Sequence, residues 1–112
     1  MAQKVGFSFS IVEMQAVAEK SISIAIVEDI RDIRDGLTTL INFTEGFECN
    51  GSYRSMEDAI PKIKGNVPDV LLSDIGLPGM DGIEGIKILK ELYPEMTVLM
   101  LTVYDDDERI FD

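Results

Sequence analysis

Short apolar runs rich in β-branched residues alternate along this chain with longer segments whose apolar residues recur at helical intervals. Such alternation is typical of a parallel β-sheet whose strands are joined by crossover helices, and it predicts an α/β fold. At 112 residues the chain has the size of one domain, large enough to bury a core without disulfides or structural metal. The predicted strands are residues 22–27, 47–53, 69–74 and 97–102.

Polar and proline residues mark the ends of the helices predicted between these strands. Ser55 and Asp81 each stand three residues before an acidic residue, so both are expected to cap the first turn of a helix. Pro61 predicts a kink or an early stop in the second helix, and Pro94 ends the third. A fourth helix is predicted to open at the acidic run 105–108.

Residues 1–21 precede the alternating strands and helices and are interpreted as an N-terminal extension. Apolar residues alternate with smaller ones over residues 5–11, which favours a strand, and residues 12–20 are compatible with one or two helical turns. The start loosely resembles a secretory signal, but polar residues interrupt its apolar run, so an uncleaved leader on a cytoplasmic protein is preferred. No apolar stretch reaches the roughly 20 residues that span a bilayer, so a membrane partner is not expected.

The composition restricts the chemistry open to this chain. It contains no histidine and a single cysteine, Cys49, which excludes histidine-activated nucleophiles, imidazole metal ligands and multi-cysteine metal sites. With 10 basic and 21 acidic side chains the net charge is −11, which argues against direct binding to a nucleic acid backbone. Any chemistry must therefore depend on carboxylates, and contact with DNA would need another module.

Acidic and hydroxyl side chains stand at the ends of three predicted strands. Glu28 and Asp29 follow the first strand, Asp74 ends the third and Thr102 ends the fourth. Ligands of open parallel sheets bind beyond the carboxyl ends of the strands, so the three acids converge on one cleft if the first and third strands are neighbours. Clustered carboxylates need a cation or a proton, and an all-oxygen ligand set favours Mg²⁺, or Mn²⁺, over zinc. Few protein carboxylates completed by waters suit Mg²⁺ better than calcium.

A cation in this cleft would give Asp74 a chemical role. A bound metal can hold a phosphoryl group opposite a carboxylate oxygen and neutralise the charge that would otherwise repel it. Asp74 can then attack phosphorus and form an aspartyl phosphate, while the hydroxyl of Thr102 donates to a phosphoryl oxygen. The backbone carbonyl of Gly76, two residues beyond Asp74, is a further candidate metal ligand.

Together these motifs resemble the receiver domain of two-component response regulators. The matching residues are the pair Glu28-Asp29, the segment DIGLPGMDG at 74–82 and the pair Leu101-Thr102. The resemblance covers residues 22–112 and is strongest to receivers of the LuxR or NarL kind, which precede a helix-turn-helix DNA-binding domain.

The resemblance implies a flavodoxin-like (CheY-like), doubly wound parallel sheet with strand order 2-1-3-4. It implies that Asp74 is the phosphoacceptor, Asp29 a direct Mg²⁺ ligand, Glu28 a ligand through water and Thr102 the switch hydroxyl. It further implies phosphoryl transfer from a sensor histidine kinase or a small phosphodonor, with slow self-dephosphorylation and no enzymatic turnover. The implied output is transcriptional, through a C-terminal DNA-binding domain.

The sequence departs from the family pattern beyond the fourth strand. The family places an invariant lysine at the end of a fifth strand, followed by a fifth helix, and this chain stops before both. Phosphorylation is therefore expected to be slow or uncoupled from a conformational change. An unpaired fourth strand would expose an apolar edge, and we hypothesise that residues 5–11 or a second copy of the chain cover it, by strand swapping or as a homodimer.

Three other interpretations compete. Asp29 stands where a helix N-cap belongs, and capping alone would explain it. A Mg²⁺-dependent phosphohydrolase of the haloacid-dehalogenase-like kind would form the same aspartyl phosphate, but such enzymes usually carry a second aspartate where this chain has Gly76. The absent lysine favours a phosphorylation-independent protein-interaction module.

Overall fold

The computed structural model describes residues 21–102, in which four strands alternate with three helices. The expectations for residues 1–20 and for a helix at 105–108 lie outside the described residues. No helix among residues 21–102 is long and apolar enough to cross a membrane. In chain order the elements are β1 (Ile22–Val27), α1 (Arg31–Asn42), β2 (Phe47–Tyr53), α2 (Met56–Ile63), β3 (Val70–Asp74), α3 (Gly82–Leu92) and β4 (Thr97–Leu101).

The four strands form one parallel sheet in the order β2-β1-β3-β4, as predicted. β1 lies in the middle, hydrogen-bonded to β2 on one side and to β3 on the other, with Val27 opposite Tyr53 and Ser73. All four strands therefore end at the same edge of the sheet. The residues that follow β1 and β3 meet there.

Helices cover both faces of this sheet, which is the doubly wound arrangement. Ala25, Val27 and Leu71 point to one face and join the buried core with residues of α2 and α3. Ile26 alternates to the opposite face and is also fully buried. α2 and α3 pack closely, because a Cβ at Gly85 would overlap the buried side chain of Met56.

Both predicted side-chain caps are confirmed. The hydroxyl of Ser55 accepts a hydrogen bond from the N–H of Asp58 at 3.0 Å, and the carboxylate of Asp81 accepts one from the N–H of Glu84 at 2.8 Å. α2 contains Pro61 and ends two residues later, at Ile63, while α3 ends at Leu92, before Pro94. These caps set where α2 and α3 leave the carboxyl edge of the sheet.

Two predicted strand boundaries were wrong by one residue. Asp69 precedes β3, and its backbone N–H donates to the hydroxyl of Ser23 at 2.9 Å instead of to a backbone carbonyl of a neighbouring strand. Its carboxylate accepts hydrogen bonds from the N–H and the hydroxyl of Ser23, at 2.9 and 3.2 Å, at the start of β1. Thr102 follows β4, whose last paired residue is Leu101. Asp69 therefore ties β1 to β3 at the amino edge, opposite the acidic residues.

Candidate functional site

Three carboxylates meet where β1 and β3 end. One oxygen from each of Glu28, Asp29 and Asp74 lies within 4.8 Å of the others. The cause is the strand register: Val27 is paired with Ser73, so the next residues along the two parallel strands, Glu28 and Asp74, leave the sheet side by side. The predicted convergence of these three acids is confirmed.

Glu28 is buried to an unusual degree for a carboxylate, with no exposed surface. Its Oε2 accepts a hydrogen bond from the N–H of Ile30 at 2.8 Å, while Oε1 is buried without a hydrogen-bond partner among the described residues. Burial raises the pKa of Glu28 to about 7, the Ile30 N–H opposes the rise, and the nearby Asp74 and Asp29 add to it. An unpartnered carboxylate oxygen beside two further acids is an environment suited to a cation.

Asp74 is 6% exposed and is held by the backbone around it. Its Oδ1 accepts a hydrogen bond from the N–H of Gly76 at 3.1 Å. Gly82 packs directly on the Asp74 backbone, because a Cβ at that position would overlap the Asp74 carbonyl oxygen. The first residue of α3 therefore packs against the backbone that carries Asp74. Only glycine fits at this contact.

Asp29 is exposed and does not cap α1. The N-cap of α1 is Ile30, which has no side-chain hydrogen bond to the helix, so the capping interpretation of Asp29 is wrong. Arg34 of α1 instead stabilises this turn: its guanidinium donates to the backbone oxygens of Glu28 at 2.8 Å and Asp29 at 3.4 Å. The turn after β1 thus presents the Asp29 side chain outward, next to the buried pair.

The other two predicted site residues lie on neighbouring segments. Thr102 directly follows Leu101, the residue paired with Asp74 across β3 and β4, and is exposed at the carboxyl edge of the sheet. Gly76 is exposed in the loop after β3. The structure therefore has all five sequence-predicted residues at the same edge, with Glu28, Asp29 and Asp74 in direct proximity.

Sequence reasoning missed two side chains around this site. Arg34 stands six residues after Glu28, and Glu57 of α2 accepts a hydrogen bond from the N–H of Met80 at 2.9 Å, across 23 residues of chain. Neither had a sequence signal, because each depends on which element packs beside which turn. Both bind backbone groups of the loops that carry the acidic residues.

The donor set of the cluster fits a small hard cation. It offers three carboxylates, without sulfur or imidazole, which suits Mg²⁺ and Mn²⁺. The buried, unpartnered Oε1 of Glu28 is the kind of atom that a cation or its bound water would satisfy. The residues present in the acidic cluster therefore fit a bound Mg²⁺ or Mn²⁺ ion.

The chain belongs to the response regulator receiver domain family, whose model matches residues 24–112. The fold and the acidic edge define the same class of protein, and the family match confirms the resemblance drawn from the sequence. The chain is therefore the receiver domain of a two-component response regulator, most similar to transcriptional regulators.

Among its relatives is the transcriptional regulatory protein LnrK of Bacillus subtilis, 35% identical over 89 residues, which cover 80% of this chain and 40% of LnrK. A two-component response regulator of the LuxR family from Aurantimonas has the same fold, with a TM-score of 0.70 and 24% identity over 76% of this chain and 61% of that one. The isolated receiver domain of RcsB from Salmonella enterica, solved in the presence of the phosphomimetic BeF3⁻, has a TM-score of 0.69 and 23% identity over 76% and 64%. The chain spans about two fifths of the length of the curated relatives it matches.

Proposed function

We propose that this domain accepts a phosphoryl group on Asp74, with Mg²⁺ bound among Glu28, Asp29, Asp74 and the Gly76 carbonyl. The observation that carries the proposal is the convergence of three carboxylates around a buried oxygen that lacks a hydrogen-bond partner. Asp29 and Asp74 would be direct ligands, and Glu28 would act through a bound water. Mn²⁺ would be accepted by the same oxygens.

The residues around the proposed cation site would have separate roles in phosphoryl transfer. When bound, Mg²⁺ supplies charge neutralisation, so that an anionic carboxylate can approach an anionic phosphoryl group. Asp74 would attack phosphorus through one carboxylate oxygen as the bond from phosphorus to the donor breaks. The hydroxyl of Thr102 would donate to a phosphoryl oxygen from the end of the adjacent strand.

The phosphoryl donor is proposed to be the phosphohistidine of a sensor kinase or a small acyl phosphate. We assign the receiver domain to residues 22–112 and an N-terminal extension to residues 1–21. We expect the protein in the cytoplasm, because the proposed phosphoryl donor and the proposed transcriptional output act there. The relatives named transcriptional regulators support an output through a C-terminal DNA-binding domain. The chain itself, with a net charge of −11, is unsuited to contact DNA.

Slow self-hydrolysis of the phosphorylated aspartate is expected in place of enzymatic turnover. A hydrolase of the haloacid-dehalogenase-like kind would place a second acid two residues after Asp74, where Gly76 contributes only backbone groups. Gly76 therefore supports a phosphoacceptor over a phosphohydrolase.

A protein-interaction role has one supporting observation of its own. Among residues 21–102, β4 has a neighbouring strand on one side only, and Leu99 and Met100 on it are about half exposed, at 54% and 51%. We propose that residues 5–11 or a second copy of the chain cover this edge. Such an association would not require phosphorylation.

Incubation with acetyl phosphate and Mg²⁺, followed by intact mass measurement, tests the proposal. The wild type should gain one phosphoryl group, the Asp74→Asn variant none, and chelation of Mg²⁺ should abolish the gain. Asp81→Asn is the matched control, because asparagine caps a helix as well as aspartate and the change lies in the same loop. Rapid multiple turnover would support the hydrolase, and a folded wild type without any adduct would support the interaction module.

A further inference from the structure

The loop between β3 and α3, residues 75–81, begins directly after Asp74 and contains Gly76. Its two ends are fixed locally: the N–H of Gly76 donates to Asp74 Oδ1 at 3.1 Å, and the N–H of Gly82 donates to the Ile75 carbonyl at 3.2 Å. Met80, one residue before the end of the loop, is in addition held by a side chain from another element. The conformation of this segment decides where the Gly76 carbonyl points.

Glu57, on the first turn of α2, provides that second anchor. Its Oε2 accepts a hydrogen bond from the N–H of Met80 at 2.9 Å, although the side chain is exposed. This hydrogen bond lowers the pKa of Glu57, so the group is a carboxylate at neutral pH and the bond is charge-assisted.

Gly79 shows how closely the loop fits this carboxylate. Its φ of 73° lies in the left-handed region, and a Cβ there would stand 2.5 Å from Glu57 Oε2. The backbone turn at Gly79 therefore brings the next residue's N–H onto the glutamate. Leu77, earlier in the loop, is buried at 6% exposure, so the loop is held by the core on one side and by Glu57 on the other.

We propose that Glu57 is a positioning residue for the Mg²⁺ site, fixing the loop so that the Gly76 carbonyl faces the cation. Glu57 does not belong to the acidic cluster, so it acts through the loop and not as a ligand. The inference rests on the proposed function, because it assumes that Mg²⁺ binds among the three acids. Residues that orient metal ligands typically change metal affinity by about 10–100-fold when they are replaced, and we expect about 10-fold here.

Calorimetric titration of Mg²⁺ into the full chain tests this role with three variants. Glu57→Ala should bind Mg²⁺ about 10-fold more weakly than the wild type, because the loop loses its anchor. Glu57→Gln should recover most of the affinity, because its amide oxygen can still accept from Met80. Glu91→Ala is the charge-matched control: it removes an exposed acid from the last turns of α3 and should bind as the wild type does.

Amide resonances of the metal-free protein give an independent readout. In Glu57→Ala those of Gly76 and Met80 should shift, whereas in Glu91→Ala they should not. If Glu57→Ala does not fold, Glu57→Met supplies the same comparison, with a side chain of similar length that lacks the acceptor.

Each remaining outcome overturns the proposal in a distinguishable way. Wild-type affinity in Glu57→Ala would show that the loop needs no anchor, while the metal site would stand. Equal weakening in Glu57→Gln and Glu57→Ala would assign the effect to lost charge and not to positioning. Absence of Mg²⁺ binding by the wild type would remove the metal site and this inference together.

Discussion

Glu28 has an environment that favours its neutral form unless a cation is present. The side chain is fully buried, one oxygen has no hydrogen-bond partner among the described residues, and Asp74 and Asp29 lie beside it. Burial in the first place, and then the neighbouring acids, raise its pKa to about 7 from an ordinary 4.5. The same arrangement that is proposed to bind a cation therefore costs stability when no cation is bound.

The stability of the metal-free domain should fall as the pH rises from about 4.5 to about 7. In that range the folded state holds a proton on Glu28 that the unfolded state has lost, so the free energy of unfolding decreases as the pH rises. The loss attributable to this group is at most about 3 kcal/mol. Urea denaturation at a series of pH values, in a chelator, measures it.

The control for this pH prediction is Glu28→Gln, which cannot ionise. It should remove the decline between about pH 4.5 and about pH 7 and leave a more stable metal-free protein at the upper end. Parallel stability profiles for the two proteins would mean that Glu28 ionises in its native environment as it does in the unfolded chain.

At the scale of elements, the contact between α3 and the end of β3 determines how rigidly Asp74 is held. Gly82 opens α3 and lies against the Asp74 carbonyl, while the Asp81 cap fixes the direction in which the helix begins. A side chain at position 82 would push on the backbone, which cannot move aside as a flexible side chain can.

Gly82→Ala should destabilise the domain by about 1–3 kcal/mol, because the overlap with the Asp74 backbone outweighs the better helix propensity of alanine. Gly36→Ala in α1 is the matched control: a Cβ there meets nothing within 4 Å, and the change should stabilise by about 0.5–1 kcal/mol. Chemical denaturation measures both. A Gly82→Ala variant as stable as the wild type would contradict the close packing of α3 on β3.

The elements were predictable because their signals are local. Ser55 and Asp81 carry cap preferences in the side chain itself, and a strand that ends on an acid places that acid at the ligand-binding edge whatever its neighbours are. The contacts of Arg34 and Glu57 were not predictable, since each joins a side chain to the backbone of a turn that only tertiary packing brings near. Asp69 was misassigned to β3 for the same reason: its partner, Ser23, lies 46 residues away.

At the scale of the whole molecule, the sheet has two edge strands within the described residues, β2 and β4. β1 and β3 are central, whereas β4 presents Leu99 and Met100 at an edge with no strand neighbour within residues 21–102. Apolar edges of this kind are templates for pairing with another strand.

Deletion of residues 1–20 should change the association state if residues 5–11 cover the β4 edge. Size-exclusion chromatography should then show a larger species, and adding Leu99→Lys to the shortened chain should restore the original elution, because a charge on an edge strand opposes pairing. A well-folded shortened chain that elutes as the full chain does would remove this idea.

Calorimetric titration of Mg²⁺ measures most directly whether the acids at the ends of β1 and β3 share one cation. The wild type should bind one Mg²⁺ per chain, and Asp29→Asn should weaken binding by at least about 10-fold, because it removes the negative charge of the proposed direct ligand. Asp32→Asn, which removes an exposed acid from the first turn of α1, should leave the affinity unchanged. Equal affinity in the wild type and Asp29→Asn would contradict a magnesium site at this edge.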